Sequence, residues 1–290
     1  MKSICVIGGS GFLGSHVADA LSSAGHNVRI LDKVHSRWLK SNQEMMVGDI
    51  SSVETLDKAT VNMHAVYNFA GLSDLNSAMN QPIQTIEANI LGNANILEAC
   101  KNNGVKRFFY ASTVYANGRE GGFYRCSKKA AEEYVEEYKE IFGLDYTILR
   151  FGSLYGSRSS SSNGLYRIIK SAILTGKLTY QGSKDSLREY IHVEDAARAC
   201  VEALSDEFLN KTIILTGQEA MKVLDLLEMI REIIEIDEPV HFSDEPQIGH
   251  YTRTPYSEKR RTGLKYIPNV HIDLGQGLVE LINEIREDLN

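Results

Sequence analysis

The chain has 290 residues, of which 43% are hydrophobic and 24% are charged, a composition typical of a soluble globular protein. The net charge of -7 at pH 7 gives no electrostatic footprint for nucleic acid, and no apolar run is long enough to predict a membrane span. The cysteines lack the spacing of metal ligands, which predicts reduced thiols, a cytoplasmic location and no metal site: Cys5, Cys100, Cys126 and Cys200.

Strands and helices alternate along the first part of the chain. The predicted strands are 2–7, 27–32, 44–48, 64–70, 106–112 and 145–151. The predicted helices are 12–24, 52–59, 76–103 and 123–142. This alternation predicts an α/β fold with a doubly wound parallel sheet, in which right-handed crossovers place helices on both faces. Such sheets bind ligands in a crevice at the carboxyl ends of their strands.

The rest of the chain predicts a smaller C-terminal α+β lobe. After a serine-rich loop at 157–163, the predicted elements are helices near 164–175, 194–205, 222–235 and 273–288, short strands near 178–193, and a strand at 211–216. We predict a first domain over 1–156 and a lobe over 157–290, with segments near 189–216 returning to the first domain. Arg253 and the run Lys259-Arg260-Arg261 predict a solvated basic surface.

The first strand leads into a glycine-rich turn, Gly8-Gly9-Ser10-Gly11-Phe12-Leu13-Gly14. Gly8 allows a tight turn, Gly11 lets a pyrophosphate approach the backbone, and Gly14 lets the helix pack close to the sheet. The amides that open the helix then face the phosphates. Asp32 ends the second strand, where a carboxylate accepts hydrogen bonds from an adenosine ribose. Domain 1–156 is therefore predicted to bind a dinucleotide. Because Asp32 repels a 2′-phosphate, NAD is favoured over NADP, although Lys33 offsets part of that repulsion.

A tyrosine and a lysine are spaced for one face of the predicted helix 123–142. Tyr124 and Lys128 are four residues apart. Since an ammonium group close to a phenol favours the phenolate, we expect the pKa of Tyr124 to fall below its ordinary value of about 10. Such a tyrosine exchanges a proton with a sugar or alcohol hydroxyl near neutral pH. The preceding strand ends in Ser112-Thr113, and either hydroxyl can serve the same substrate oxygen.

With these residues in place, the chain resembles the extended short-chain dehydrogenases/reductases of the NAD-dependent epimerase/dehydratase family, which act on nucleotide sugars. The resemblance runs nearly from end to end, and further segments carry it: Val47-Gly48-Asp49-Ile50, Asn68-Phe69-Ala70-Gly71, Asn89, Leu149-Arg150-Phe151-Gly152-Ser153-Leu154-Tyr155-Gly156 and Arg188-Glu189-Tyr190-Ile191-His192-Val193-Glu194-Asp195. It implies a Rossmann domain for dinucleotide binding and a substrate-binding lobe after it.

The resemblance also implies the roles of individual residues. Cofactor contacts are implied for Gly8, Gly11, Phe12, Leu13, Gly14, Asp32, Lys33, Asp49, Ile50, Phe69, Ala70, Gly71, Asn89, Tyr124, Lys128 and Ser153. Catalysis is implied for Tyr124 and Lys128, with Thr113 favoured over Ser112 as the hydroxyl. Nucleotide-sugar contacts are implied for Arg188, whose guanidinium fork suits a diphosphate, and for Asn163. A homodimer through the long helices near 76–103 and 123–142 is implied as well.

Two departures from the family pattern bear on the reaction. Ten residues separate Thr113 from Tyr124, so one wall of the sugar pocket is expected to be missing or remade. Thr113 is followed by Val114-Tyr115, where the 4,6-dehydratases have Asp-Glu, and the glutamate of the related decarboxylases is also lacking. The missing carboxylates argue against dehydration and decarboxylation, and we expect an NAD-dependent 4-epimerase, while the short loop would favour a chain that binds the dinucleotide without turnover. A keto-sugar reductase is the alternative, and a non-catalytic dinucleotide-binding protein is a third interpretation.

Overall fold

The computed structural model describes residues 1–243, 264–266 and 270–289, so the basic residues Arg253 and Lys259-Arg260-Arg261 lie outside the described residues. In chain order its strands are β1 (Ser3–Ile7), β2 (Asn27–Asp32), β3 (Gln43–Val47), β4 (Ala65–Asn68), β5 (Arg107–Thr113), β6 (Asp145–Phe151), β7 (Ser153–Tyr155), β8 (Thr179–Gln181), β9 (Leu187–Arg188), β10 (Tyr190–His192), β11 (Lys211–Leu215), β12 (Met221–Lys222), β13 (His241–Ser243) and β14 (Leu264–Lys265). Its α-helices are α1 (Phe12–Ser23), α2 (Val53–Thr60), α3 (Leu75–Asn80), α4 (Pro82–Ile86), α5 (Gly92–Asn102), α6 (Gly122–Phe142), α7 (Gly164–Thr175), α8 (Val193–Glu202), α9 (Val223–Ile234) and α10 (Leu274–Leu289).

The main sheet confirms the predicted doubly wound α/β fold. Its eight strands are parallel, in the order β14-β11-β6-β5-β4-β1-β2-β3. The chain moves outward from β1 in both directions, so the switch point lies between β1 and β4, where a ligand crevice opens at the carboxyl ends. The edge strand β14 was not predicted, because its two residues carry no strand pattern of their own.

Side chains on the two faces of this sheet enter separate hydrophobic cores. Ile4 and Val6 of β1 pack with buried residues of α1 and α8. Cys5 and Ile7 point to the other face and pack with α2, α5 and α6. This alternation is the period of two that a strand imposes, and it covers both faces of the sheet with helices. No described helix is long and apolar enough to cross a membrane.

A third core belongs to the C-terminal part of the chain. Helices α7, α9 and α10 bury Ile169, Leu227 and Leu281 together, and Tyr155 of β7 joins them. Three small strand pairs accompany these helices: β7 with β10, β9 with β12, and β8 with β13. Helix α8 and strand β11 return to the main sheet, where β11 pairs with β6.

The helix predicted at 76–103 is interrupted. It consists of α3, α4, a π-helical turn at Glu87–Leu91, and α5. Gln81, at φ -132° and ψ 61°, separates α3 from α4, because a proline follows and disfavours helical backbone in the residue before it. Asp74 begins α3 by accepting a hydrogen bond from the Ser77 amide. The prediction was therefore right about helical content and wrong about continuity.

Candidate active site

A cleft of about 1220 Å³ lies at the carboxyl ends of the strands, between the main sheet and helices α7 and α9. All but one of the predicted site residues line it: Gly8, Gly11, Phe12, Leu13, Gly14, Asp32, Lys33, Asp49, Ile50, Phe69, Ala70, Gly71, Ser112, Thr113, Tyr124, Lys128, Ser153, Asn163 and Arg188. Within the described ranges, no group of three or more histidine, cysteine or acidic residues is placed to hold a metal ion.

The glycine-rich turn forms one end of this cleft. Gly8 has φ +80°, and a Cβ atom there would lie 2.6 Å from the amide nitrogen of Ala70. A Cβ atom on Gly14 would lie 2.2 Å from the Gly8 carbonyl oxygen, so side chains are excluded where α1 meets the turn. Gly11 precedes α1 without any side chain that caps the helix. The first amides of α1 are therefore left for an anion, which fits the pyrophosphate of a dinucleotide.

Charged residues at the ends of β2 and β3 complete the dinucleotide end. The Asp32 carboxylate accepts hydrogen bonds from the amides of Ser10 at 3.0 Å and Val34 at 3.3 Å. Lys33 pairs with Asp49, with 3.0 Å between Nζ and Oδ2. The pKa of Asp49 lies below its ordinary value, chiefly because the Ser51 amide donates to it and also because of Lys33. Lys33 is thus paired with Asp49, and the Asp32 carboxylate lies at the cleft, where it suits a ribose 2′-hydroxyl.

Tyr124, Thr113 and Lys128 meet in the middle of the cleft. Strand β5 ends at Thr113, and α6 begins at Gly122, so its first and second turns bring Tyr124 and Lys128 to the same buried face. The Thr113 side chain neighbours the phenol of Tyr124 and lowers its pKa. Lys128 donates from Nζ to the carbonyl oxygen of Ala111 at 2.8 Å, and Nζ lies 6.0 Å from the Tyr124 ring centroid. A hydroxyl, a phenol and an ammonium group therefore surround one part of the cleft.

The structure separates the two candidate hydroxyls of β5. Neighbouring residues of a strand face opposite sides of the sheet. Ser112 Oγ donates to the Glu132 carboxylate at 2.5 Å, whereas the Thr113 side chain is the neighbour that lowers the pKa of the Tyr124 phenol. Ser112 is thus engaged by α6 behind the site, and Thr113 is the hydroxyl that contacts the phenol.

The predicted lowering of the Tyr124 pKa is wrong for the chain without ligands. Burial raises the pKa of Tyr124 to about 12, while the neighbouring Thr113 side chain lowers it by less. Burial also lowers the pKa of Lys128 to about 8, against the opposite effect of the Glu132 carboxylate. The spacing of the pair was correct, but desolvation of the phenol outweighs an ammonium group that is directed at the Ala111 carbonyl.

Asn89 is the predicted cofactor residue that does not line the cleft. It is buried in the π-helical turn, where its Oδ1 accepts from the Leu72 amide at 2.7 Å. Its Nδ2 donates to the Leu72 carbonyl at 3.0 Å and to Ser127 Oγ at 2.9 Å. The backbone at Gly71 passes so close that a Cβ atom there would lie 2.5 Å from Asn89 Oδ1. Asn89 therefore fastens the loop after β4 to α6.

The opposite end of the cleft carries the predicted substrate residues. Arg188 is buried on β9. Asn163 begins α7 by accepting from the Tyr166 amide at 3.1 Å, and its Nδ2 donates to the Leu154 carbonyl at 2.8 Å. Asn163 thus has a structural role as well as a place on the cleft wall.

An ion pair across the cleft was missed by the sequence analysis. Arg167 of α7 lies 3.3 Å from the Asp74 carboxylate at the start of α3, and both residues line the cleft. The residues Ser73, Leu75 and Asn76 line it as well. The loop before Tyr124 is short, and residues at the start of α3 form a wall of the cleft. No local signal in the sequence links positions 74 and 167, because the pair depends on how the lobe packs.

Comparison with known proteins agrees with this geometry. The family model described as "NAD dependent epimerase/dehydratase family" matches residues 4–215. The chain is 31% identical to the UDP-N-acetyl-alpha-D-glucosaminuronate decarboxylase of Bacillus cytotoxicus, over 99% of this chain and 99% of that protein.

Solved structures show the same fold. A UDP-glucose 4-epimerase from Thermotoga maritima, solved with UDP-glucose, is 25% identical, with a TM-score of 0.86 over 99% of this chain and 100% of that chain. The UDP-glucuronic acid 4-epimerase of Bacillus cereus, solved with UDP-glucuronic acid and NAD, is 23% identical, with a TM-score of 0.86 over 98% and 99% of the two chains. The family match, the sequence relative and the cleft agree: the chain belongs to the NAD-dependent epimerase/dehydratase family of extended short-chain dehydrogenases/reductases.

Proposed function

We propose that the chain is an NAD-dependent 4-epimerase of UDP-sugars that oxidises the sugar transiently at C4. The observation that carries the proposal is the grouping of Thr113, at the end of β5, with Tyr124 and Lys128 in the first two turns of α6. These residues share a cleft with the glycine-rich turn at one end and Arg188 at the other. The solved neighbours with UDP-glucose, or with UDP-glucuronic acid and NAD, support the same class of ligands.

The cofactor site is proposed from residues that fit a dinucleotide. The first amides of α1 would hold the pyrophosphate, Asp32 the adenosine ribose, and Lys128 the second ribose. Further contacts are proposed for Phe12, Leu13, Asp49, Ile50, Phe69, Ala70, Gly71 and Ser153. When bound, NAD supplies the acceptor and the donor of a hydride at the sugar carbon, and its positively charged nicotinamide favours the phenolate of Tyr124.

Tyr124 moves the proton in this proposal. Its Oη takes the proton of the C4 hydroxyl as the sugar is oxidised, and it returns the proton to the same oxygen as the sugar is reduced from the other face. Thr113 neighbours the phenol and is proposed to share the C4 oxygen with it. Arg188 is proposed to bind the diphosphate and Asn163 to contact the nucleotide sugar. Rotation of the oxidised sugar between the two transfers inverts C4.

The residues after Thr113 favour epimerisation over elimination or decarboxylation. Val114 and Tyr115 follow it, and Tyr115 lines the cleft with its ring edge-on to Tyr124, at 6.4 Å between centroids. These two positions therefore bring an aromatic ring to the site and no carboxylate that could act as acid or base. Because the Bacillus cytotoxicus relative is a decarboxylase, release of CO2 from a UDP-uronic acid is the outcome to test beside epimerisation.

Proton NMR of the sugar products tests the proposal. The purified chain is incubated with NAD and, separately, with UDP-glucose, UDP-N-acetylglucosamine and UDP-glucuronic acid. We expect the anomeric signals of the C4 epimer of at least one sugar, and no conversion by Tyr124→Phe. A pentose product with CO2 would indicate decarboxylation. Steady consumption of NADH with a keto sugar, without epimerisation, would favour the reductase.

Assembly is a further part of the proposal. Large apolar side chains are exposed on α4, the π-helical turn and α6: Ile83, Ile86, Leu91, Phe123 and Tyr134. We propose that this surface forms a homodimer, since a patch of this kind is commonly covered by a second subunit. Light scattering at micromolar concentration is expected to give twice the mass of 32.4 kDa, and a monomeric mass would contradict the proposal.

We also propose a cytoplasmic location, and the division into a dinucleotide domain at 1–156 and a substrate lobe at 157–290.

A further inference from the structure

A buried carboxylate lies behind the proposed catalytic residues. Glu132 follows Lys128 by one turn of α6 and Tyr124 by two, and it is buried like both of them. Arg150 of β6 forms a bidentate ion pair with Glu132: Nε lies 2.9 Å from Oε1, and Nη2 lies 2.6 Å from Oε2. Ser112 donates to Oε1 as well. Such a bidentate, buried ion pair has a fixed geometry.

This carboxylate joins three parts of the active-site wall. Ser112 is the neighbour of Thr113 on β5, and Arg150 precedes Phe151 and Gly152, which line the cleft. Glu132 itself stands on the helix that carries Tyr124 and Lys128. One side chain therefore fixes α6 against the carboxyl ends of β5 and β6, where the proposed proton transfer takes place.

The same carboxylate is an electrostatic neighbour of Lys128. The groups that face the ammonium are Tyr124 and Glu132 on α6 and Tyr110 on β5, whose ring centroid lies 4.9 Å from Nζ. Arg150 of β6 acts through its pair with Glu132. Of these groups, the Glu132 carboxylate is the one that raises the pKa of Lys128, against the lowering by burial.

We propose that Glu132, held by Arg150, is a positioning residue that keeps Lys128 charged and aligns Thr113 with Tyr124. Its importance for turnover rests on the proposed function, whereas its effect on Lys128 is a property of the chain alone. The pair is buried, and a buried ion pair is weak evidence of a gain in stability. A charge kept beside Lys128 gives it an electrostatic role that a well-packed apolar pair would not supply.

Titration of Lys128 by NMR tests this inference without any substrate. The full-length chain is labelled with ¹³C at lysine Cε, and the Lys128 signal is assigned by its loss in Lys128→Met. In the unaltered chain we expect a midpoint near the pKa of about 8. In Glu132→Gln, which keeps the size of the side chain but replaces one acceptor oxygen by an NH2 donor, we expect the midpoint to fall by about one pH unit. At pH 8 the protonated fraction of Lys128 would then fall from about one half to about one tenth.

Two further variants keep the test decisive if Glu132→Gln folds poorly. Glu132→Gln with Arg150→Met removes both buried charges, which proteins tolerate better than the loss of one, and the Lys128 midpoint should again fall. Arg107→Met is the matched control. Arg107 is a buried arginine at the start of β5, far from the carboxyl ends, and it donates hydrogen bonds to Thr147 of the neighbouring strand β6. It should lower the melting temperature and leave the Lys128 midpoint unchanged.

A folded Glu132 variant with an unchanged Lys128 midpoint would overturn the inference, and it would leave a purely structural ion pair. If turnover is found, kcat of Glu132→Gln should decline on the basic side of its pH profile at a lower pH than kcat of the unaltered enzyme. An unshifted profile would also overturn the inference. If no UDP-sugar is converted, the proposed function fails while the lysine titration can still succeed. The two failures are therefore distinguishable.

Discussion

Replacing Gly14 by alanine tests most sharply the packing of the glycine-rich turn and its proposed binding of phosphate. The new Cβ atom would lie 2.2 Å from the Gly8 carbonyl oxygen, whereas ordinary contacts begin at 3.4 Å, so the turn and α1 must separate by more than 1 Å. Such overpacking costs about 3 kcal/mol at the upper end, and the better helix propensity of alanine returns about 1 kcal/mol. The net loss of about 2 kcal/mol corresponds to a fall in melting temperature of roughly 4–8 °C.

Gly11→Ala is the matched control for stability in the same turn. Its Cβ atom would lie 3.3 Å from the same oxygen, and Gly11 has an ordinary φ of -80°, so the fold should lose less than about 1 kcal/mol. Isothermal calorimetry with NAD should show binding weakened by about tenfold or more in Gly14→Ala, as expected when a charge-assisted hydrogen bond to phosphate is lost. Unchanged melting temperature and NAD affinity in Gly14→Ala would refute the reasoning.

Three other perturbations have defined outcomes. Tyr124→Phe should leave NAD binding nearly intact and reduce turnover by about two to four decades, and unchanged turnover would mean that another group moves the proton. Asp32→Ala should weaken NAD more than NADP in the same calorimetric assay, since the lost carboxylate accepts from a ribose hydroxyl and repels a 2′-phosphate; equal losses would remove its assigned role. His16 is buried, which lowers its pKa from 6.5 to about 4. As the pH falls from 7 to 4, His16 is therefore protonated in the unfolded chain before it is protonated in the folded chain. The free energy of unfolding decreases by up to about 3 kcal/mol as a result. In urea unfolding, the free energy of unfolding should decrease less between pH 7 and pH 4 for His16→Gln than for the unaltered chain. An equal decrease in the two proteins would contradict this.

Local patterns predicted the half of the cleft that contains the glycine-rich turn and Asp32. The glycine turn and Asp32 each lie directly after a strand, and the sheet topology alone brings strand ends together. The spacing of Tyr124 and Lys128 similarly fixed their common face as soon as 123–142 was known to be helical. These residues could be found because their geometry depends on backbone that the sequence determines nearby.

Features that depend on packing between distant segments were not predictable in the same way. The π-helical turn at Glu87–Leu91 and the fastening of Leu72 by Asn89 arise where one helix meets the loop after β4. The ion pair of Arg167 with Asp74 arises between the lobe and α3. Neither leaves a periodic or turn signal in the sequence.

The pKa of the Tyr124 phenol shows that electrostatics are equally hard to predict from sequence alone. A four-residue spacing revealed that Lys128 is near Tyr124, but not that both are buried or that the ammonium group bonds a backbone carbonyl. Burial dominates the pKa of each group, and burial is a property of the folded cleft. Residue spacing thus predicted that Tyr124 and Lys128 lie close together, whereas their pKa values depend on the folded structure.

Retention of an isotope at C4 tests the central claim most directly. A UDP-sugar that the chain converts, labelled with deuterium at C4, is incubated with enzyme and NAD in ordinary water, and the product is examined by proton and deuterium NMR. We expect inversion at C4 with the deuterium retained there, since the hydride returns within one site while only the hydroxyl proton passes through Tyr124. Loss of the deuterium to water, or a product with C4 unchanged, would contradict this.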